Sequence, residues 1–125
     1  MRVLIVDDSE ILRGSLRRAM TQAGLGEHEY LEAENGRIAL ELIERDSVDL
    51  VLCDWNMPEM SGIELLEAVS AAERSIPFLF VTSEATASMR KRAKEAGALG
   101  CVSKPLTAEA LRNALAGTLG RGSAL

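Results

Sequence analysis

Three stretches of this 125-residue chain, Val3–Val6, Leu50–Cys53 and Phe78–Val81, are apolar at every position. A strand with one wet face alternates apolar and polar residues, so an unbroken apolar run of strand length points to a strand covered on both sides. Strands of that kind belong to parallel sheets packed between helices. Leu99–Val102 adds a fourth run, and a weaker one lies near Glu29–Ala33.

The segments between the runs have helical spacing. Ile11, Leu12, Leu16, Ala19, Met20 and Ala23 form one stripe, stopped at Gly24; Ile38, Leu42 and Ile43 follow Asn35-Gly36; Ile63, Leu66 and Val69 follow Ser61-Gly62. Met89, Ala93 and Ala96 end at Gly97, and Ala108, Leu111, Leu115 and Leu119 close the chain. Strand and helix therefore alternate throughout, which predicts an α/β domain with a doubly wound parallel sheet. Right-handed crossovers leave few topologies, and the flavodoxin-like (βα)5 order 2-1-3-4-5 is the expected one. No linker interrupts the chain, so residues 1–120 read as one domain and 121–125 as a short fraying tail.

Composition narrows the function. Apolar residues make up 47% and aromatics only 3%, so the core must be built from aliphatic side chains. The net charge of −5 speaks against general nucleic-acid binding or an anionic membrane surface. The N-terminus reaches Asp7 and Asp8 after a short apolar run that is no signal peptide, and no run approaches membrane-spanning length. Cys53 and Cys101 lie in apolar runs and read as buried reduced thiols, so a cytoplasmic protein is expected.

In an open parallel sheet the functional groups gather at the carboxyl ends of the strands. Those ends carry Asp7 and Asp8, then Asp54, then Thr82 and Ser83, then Lys104. Converging carboxylates repel one another unless a cation joins them, and Mg²⁺, which prefers oxygen ligands and keeps several waters, suits the task. A carboxylate is a competent nucleophile toward phosphorus, and the loose transition state asks mainly for neutralisation of the phosphoryl oxygens. A metal, the Lys104 ammonium and the Thr82 hydroxyl meet that need. Taken singly the signals are weak: Ser9 and Thr82 are equally candidates for helix N-caps, and an Asp pair after a strand is commonly a solvated turn.

Together, VDDS at the first strand end, DWNMPEMSG from Asp54 to Gly62, VTSEA at the fourth strand and SKPLT around Lys104 are specific. From Arg2 to about Leu119 the chain resembles the response-regulator receiver domain, most closely the stand-alone chemotaxis CheY-like members. The resemblance implies that Asp54 is the phosphoacceptor and that Asp7, Asp8, Asp54 and the Asn56 backbone carbonyl hold Mg²⁺, Asp8 directly and Asp7 partly through water. It implies Thr82 as the switch hydroxyl and Lys104 as the ammonium paired with the acceptor or its phosphoryl group. Lys104–Pro105 is then expected to be cis. Asn56 and Glu84 flank the path of the water that removes the phosphoryl group, and Ser83 leaves that path open. Cys101 stands where the chemotaxis members carry an aromatic switch residue, so output is expected to rest on backbone shifts of the fourth helix.

The resemblance also implies a phosphohistidine donor on a sensor histidine kinase or histidine phosphotransfer domain. That donor would dock against Ile11, Leu12 and Ser15, with Pro105 and Leu106 nearby. Ile11 and Leu12 are equally core candidates by periodicity. A downstream protein is expected on the face of the fourth helix, fifth strand and fifth helix, where Arg90, Lys91, Arg92 and Lys94 form either a solvated face or a contact for an acidic target. The expected protein is thus a monomeric switch in two-component signal transduction, not an enzyme acting on a separate substrate, and it needs neither membrane nor nucleic acid. A phosphoryl relay, a receiver cut from a DNA-binding regulator and a Mg²⁺-dependent phosphatase remain alternatives. The phosphatases usually carry Asp-x-Asp, which Asp7-Asp8-Ser9 lacks.

Overall fold

The computed structural model describes residues 2–24 and 28–124, with side chains as far as residue 116. Among the described residues, strands β1 (Arg2–Val6), β2 (Glu29–Ala33), β3 (Leu50–Cys53), β4 (Phe78–Thr82) and β5 (Gly100–Ser103) alternate with helices α1 (Glu10–Gln22), α2 (Gly36–Arg45), α3 (Gly62–Ala71), α4 (Ala87–Glu95) and α5 (Ala108–Ala124). All strand pairs are parallel and the order is β2-β1-β3-β4-β5, as expected from the sequence. The backbone of α5 is helical from Ala108 through Ala124. No proline interrupts that segment. Leu125 lies outside the described residues.

The unbroken apolar runs have a direct structural cause. Val3, Ile5, Leu50, Leu52, Leu79 and Val81 pack against Leu16, Ala19 and Met20 of α1 and Leu111 and Leu115 of α5. The alternate residues Leu4, Val6, Val51, Cys53, Phe78 and Phe80 face Ala39 and Ile43 of α2, Ile63, Leu66 and Val69 of α3, and Ala93 of α4. Both faces of the sheet are thus dry. Each fully buried large side chain contributes about 1.5–3 kcal/mol. The edge strand β2 has only one neighbour and keeps Glu29 and Glu32 exposed, which explains its weaker pattern.

Helix starts follow their caps. Ser9 Oγ accepts the Leu12 N–H, Asn35 Oδ1 accepts the Ile38 N–H, and Ser61 forms a reciprocal capping box with Glu64. The cap of α4 is Thr86, whose Oγ1 accepts the Met89 N–H. Thr82, which the sequence offers as a helix cap, is instead the last residue of β4.

Gly62 opens α3 beneath the loop that follows β3, and its N–H donates to the Trp55 carbonyl at 2.8 Å. A Cβ at this position would run into the Asp54 carbonyl and lie 2.8 Å from the Phe80 ring. Backbone and a buried ring yield little, so Gly62→Ala is expected to cost about 3 kcal/mol in urea unfolding. Gly14→Ala in α1, where the nearest atom is a mobile arginine tip at 3.6 Å, should be neutral or stabilising. Similar values for the two variants would show that the close approach at Gly62 carries no strain.

Candidate functional site

The sheet fixes the backbone of the site. Just beyond the strand ends, the Asp7 N–H donates to the Ala33 carbonyl at 3.1 Å, the Asp54 N–H to the Val6 carbonyl at 2.9 Å, and the Lys104 N–H to the Thr82 carbonyl at 2.7 Å. Three of the chemistry-bearing residues therefore sit on the next rung of a rigid ladder. Thr82, almost completely buried, forms the rung that receives Lys104.

The side chains converge across these rungs. Lys104 Nζ lies 2.9 Å from Asp7 Oδ2 and 3.2 Å from Asp54 Oδ2. Asp7 Oδ1 accepts the Ser9 N–H at 2.9 Å, and Asp54 Oδ1 accepts the Asn56 N–H at 3.3 Å. Asp7 and Asp54 are buried, whereas Asp8 is exposed and its side chain makes no hydrogen bond or ion pair among the described residues. Carboxylate oxygens of Asp7, Asp8 and Asp54 all lie within 4.8 Å of one another. Two buried carboxylates bridged by one ammonium, beside a third that is solvated and unengaged, form an all-oxygen donor set that fits a hard divalent cation.

Burial raises the Asp54 pKa above the ordinary carboxylate value; the charge and hydrogen bond of Lys104 oppose the rise, Asp7 adds to it, and the Asn56 N–H works against it. Burial alone would pull the Lys104 ammonium down, but its hydrogen bonds and charge interactions with Asp7 and Asp54 outweigh burial and the net shift is upward. The acceptor region is therefore a desolvated carboxylate held against a firmly protonated lysine.

Asp7, Asp8, Asp54, Lys104 and Thr82 all reach the expected sheet edge. The Asn56 N–H is engaged with Asp54, the Asn56 and Glu84 side chains are exposed, and so is Ser83. The Lys104–Pro105 bond is cis, as expected. Trp55 is buried with its ring centroid 5.0 Å from that of Phe80. Ile11 is 79% exposed, so the helical stripe that made it a core candidate begins only at Leu16. Cys101 is buried and paired in register with Phe80, which is itself paired with Cys53. One strand therefore separates the two thiols by about 9.5 Å between backbones, beyond the reach of a disulfide. Burial also raises both thiol pKa values, that of Cys53 well above the usual range with help from Asp54 and Asp7. Sequence reasoning missed Arg13, whose Nη1 donates to the Asp7 carbonyl at 2.6 Å; nothing local sets it apart from the other basic residues.

Comparison with known proteins agrees with this arrangement. Residues 3–116 match the family described as the response regulator receiver domain. The chain belongs to that family. A chemotaxis protein CheY homolog from Campylobacter jejuni is 36% identical over 126 residues, covering 98% of this chain and 95% of the relative. The Pseudomonas aeruginosa chemotaxis protein CheY is 40% identical over 114 residues, covering 90% of each chain. The solved structure of Vibrio cholerae CheY4 superimposes with a TM-score of 0.78 at 33% identity, covering 91% of this chain and 94% of that one. A receiver domain from Clostridium thermocellum reaches a TM-score of 0.82 at 22% identity, covering 98% and 97%, and speaks for the fold alone. The protein is thus a CheY-like receiver domain of two-component signalling, a family of non-enzymatic switches whose general mechanism is phosphorylation on aspartate. Among the described residues no helix is long and apolar enough to cross a membrane.

Proposed function

We propose that this receiver domain accepts a phosphoryl group on Asp54 from a phosphohistidine of a sensor histidine kinase or phosphotransfer domain, and that the modification switches binding of a partner protein. The observation that carries this reading is the contact of Lys104 Nζ with both Asp7 and Asp54 in a cluster of three carboxylates. In the reaction an Asp54 carboxylate oxygen bonds to phosphorus while the bond from phosphorus to the donor imidazole nitrogen breaks, and the released imidazole takes up a proton. Asp7, Asp8, Asp54 and the Asn56 carbonyl would hold Mg²⁺. Bound there, Mg²⁺ supplies positive charge for the phosphoryl oxygens. Lys104, already on Asp54, is placed to follow a phosphoryl oxygen, and the Thr82 hydroxyl would donate to another.

Donor docking is supported by a groove of about 240 Å³ that runs from Leu12, Ser15 and Arg18 to Lys104, Pro105 and Leu106. The exposed Ile11 lies on the same helix, in its first turn. A donor seated in this groove reaches the site beside Lys104. The output surface is proposed on α4, β5 and α5, where Arg90, Lys91, Arg92 and Lys94 are exposed. With Cys101 in place of an aromatic, Thr82 is linked to the end of β5 through its register pairing with Ser103 and the backbone bond from Lys104, so movement of Thr82 shifts the chain that follows. The exposed Asn56, Ser83 and Glu84 side chains flank the buried acceptor on its solvent side, which supports a self-removing modification in a monomeric, cytoplasmic switch.

Incubation with acetyl phosphate and Mg²⁺, followed by intact-mass measurement, tests the reading. One hydroxylamine-sensitive phosphoryl adduct is expected, absent when Mg²⁺ is chelated. Absence of an adduct with Mg²⁺ present, together with no Trp55 fluorescence response to beryllofluoride, would count against phosphorylation as the input.

A further inference from the structure

We propose that Arg13 is a positioning residue of the acidic cluster: its guanidinium locks the Asp7–Asp8 peptide plane from behind and so sets where the two carboxylates meet a divalent cation. The inference rests on reading Asp7, Asp8 and Asp54 as a cation site, and it concerns a residue outside that site.

The hydrogen bonds of Asp7 show the constraint. Its N–H is held by Ala33, its Oδ1 by the Ser9 N–H, its Oδ2 by Lys104, and its carbonyl by Arg13 Nη1 at 2.6 Å. Asp8, next in the chain, has no side-chain bond among the described residues. Its carboxylate is therefore aimed by the backbone alone. Because the peptide unit is planar, the Asp7 carbonyl and the Asp8 nitrogen turn together. Holding that carbonyl fixes the direction in which Asp8 leaves the strand.

Arg13 is itself firmly held. Its Nε donates to Glu32 Oε1 at 2.8 Å, and the other Glu32 oxygen accepts from Arg17 Nη1 at 3.1 Å. The Arg17 guanidinium lies 5.2 Å from the Tyr30 ring centroid. Only 14% of the Arg13 side chain is exposed. The planar fork lets one side chain serve a β2 carboxylate and a β1 carbonyl at once, which a point-charge ammonium does less well. The clamp thus ties β2, α1 and the end of β1 together on the side of the turn away from Lys104.

Partners of this kind typically alter metal affinity by 10–100-fold when removed. Mg²⁺ titrations followed by calorimetry and Trp55 fluorescence are expected to show about tenfold weaker binding in Arg13→Ala. Arg17→Ala, which loses an ion pair to the same glutamate without touching Asp7, should stay within about twofold of wild type. In the metal-free protein, hydrogen exchange of the Asp8 and Ser9 amides should quicken in Arg13→Ala and not in Arg17→Ala. Arg13→Gln takes its place if Arg13→Ala no longer unfolds cooperatively. Unchanged Mg²⁺ affinity in both Arg13 variants, or equal weakening in Arg17→Ala, overturns the clamp while leaving the cation site standing. A wild-type protein that binds no Mg²⁺ overturns both.

Discussion

Asp54→Asn is expected to abolish the phosphoryl adduct completely and, at the same time, to make the metal-free protein more stable at neutral pH. The first effect follows from chemistry, since a carboxamide oxygen does not form an acyl phosphate under these conditions. The second follows from the setting. Burial raises the Asp54 pKa despite the opposing charge of Lys104. A carboxyl whose folded pKa lies above its unfolded one favours folding while protonated, and this contribution is lost as pH rises from the ordinary value of 3.8 through the raised one. Asn undergoes no such loss, and Lys104 keeps Asp7 as a partner. The melting temperature of Asp54→Asn should therefore exceed that of wild type at pH 7 by the equivalent of about 1 kcal/mol, a usual gain when a strained functional group is neutralised. The gap should close toward pH 4. An adduct on the variant would move the acceptor elsewhere, with Asp8 the exposed candidate. Equal melting temperatures at pH 7 would mean that the acceptor is not destabilising.

The sequence revealed more of the sheet than of the contacts across it. Unbroken apolar runs identify strands buried on both faces, and strand ends in an open parallel sheet share one edge, so Asp7, Asp54, Thr82 and Lys104 could be placed together before any coordinates. Helix faces were less legible. Ile11 fits the periodicity of α1, yet it falls beyond the area that the sheet covers and is exposed. Thr82 fits a helix cap by residue type, but β4 extends through it and Thr86 caps α4 instead. The double contact of Lys104 was not readable either, because it joins residues 97 positions apart and depends on how far an ammonium reaches across β3 and β4. Arg13 escaped for a related reason. A bond to a main-chain carbonyl leaves no pattern of side-chain types to find.

Lys104→Met is expected to have the largest effect on stability, one that grows with pH. The Lys104 side chain is 16% exposed, and those of its partners Asp7 and Asp54 are 1% and 10% exposed. Removing one member of a buried pair leaves uncompensated charge, at a cost of about 3–5 kcal/mol. In this variant the two largest influences that hold the Asp54 pKa down are gone, so that pKa rises further. The variant can then recover stability by taking up a proton as pH falls toward the ordinary carboxyl value of 3.8, so its deficit should be smaller at pH 5 than at pH 8. In wild type the titration of Lys104 itself removes its contribution on the alkaline side, as pH rises from the ordinary lysine value of 10.5 through the raised one. Adding Asp54→Asn to Lys104→Met should restore part of the loss at pH 8, because one of the two stranded charges is removed while Asp7 still lacks Lys104 as a partner. Mg²⁺ should restore part of it as well, since a cation bound only to the folded chain stabilises that chain. Adduct formation at saturating Mg²⁺ should still fall about 10²-fold, the usual cost of losing one donor to a developing oxyanion. Thermal melts of the single and double variants at pH 5 and pH 8 provide the check. A deficit that is the same at both pH values and persists in the double variant would reduce Lys104 to a packing role. A deficit that follows pH and shrinks when Asp54 is neutralised would show that the same ammonium that neutralises the acceptor also holds the resting sheet edge together.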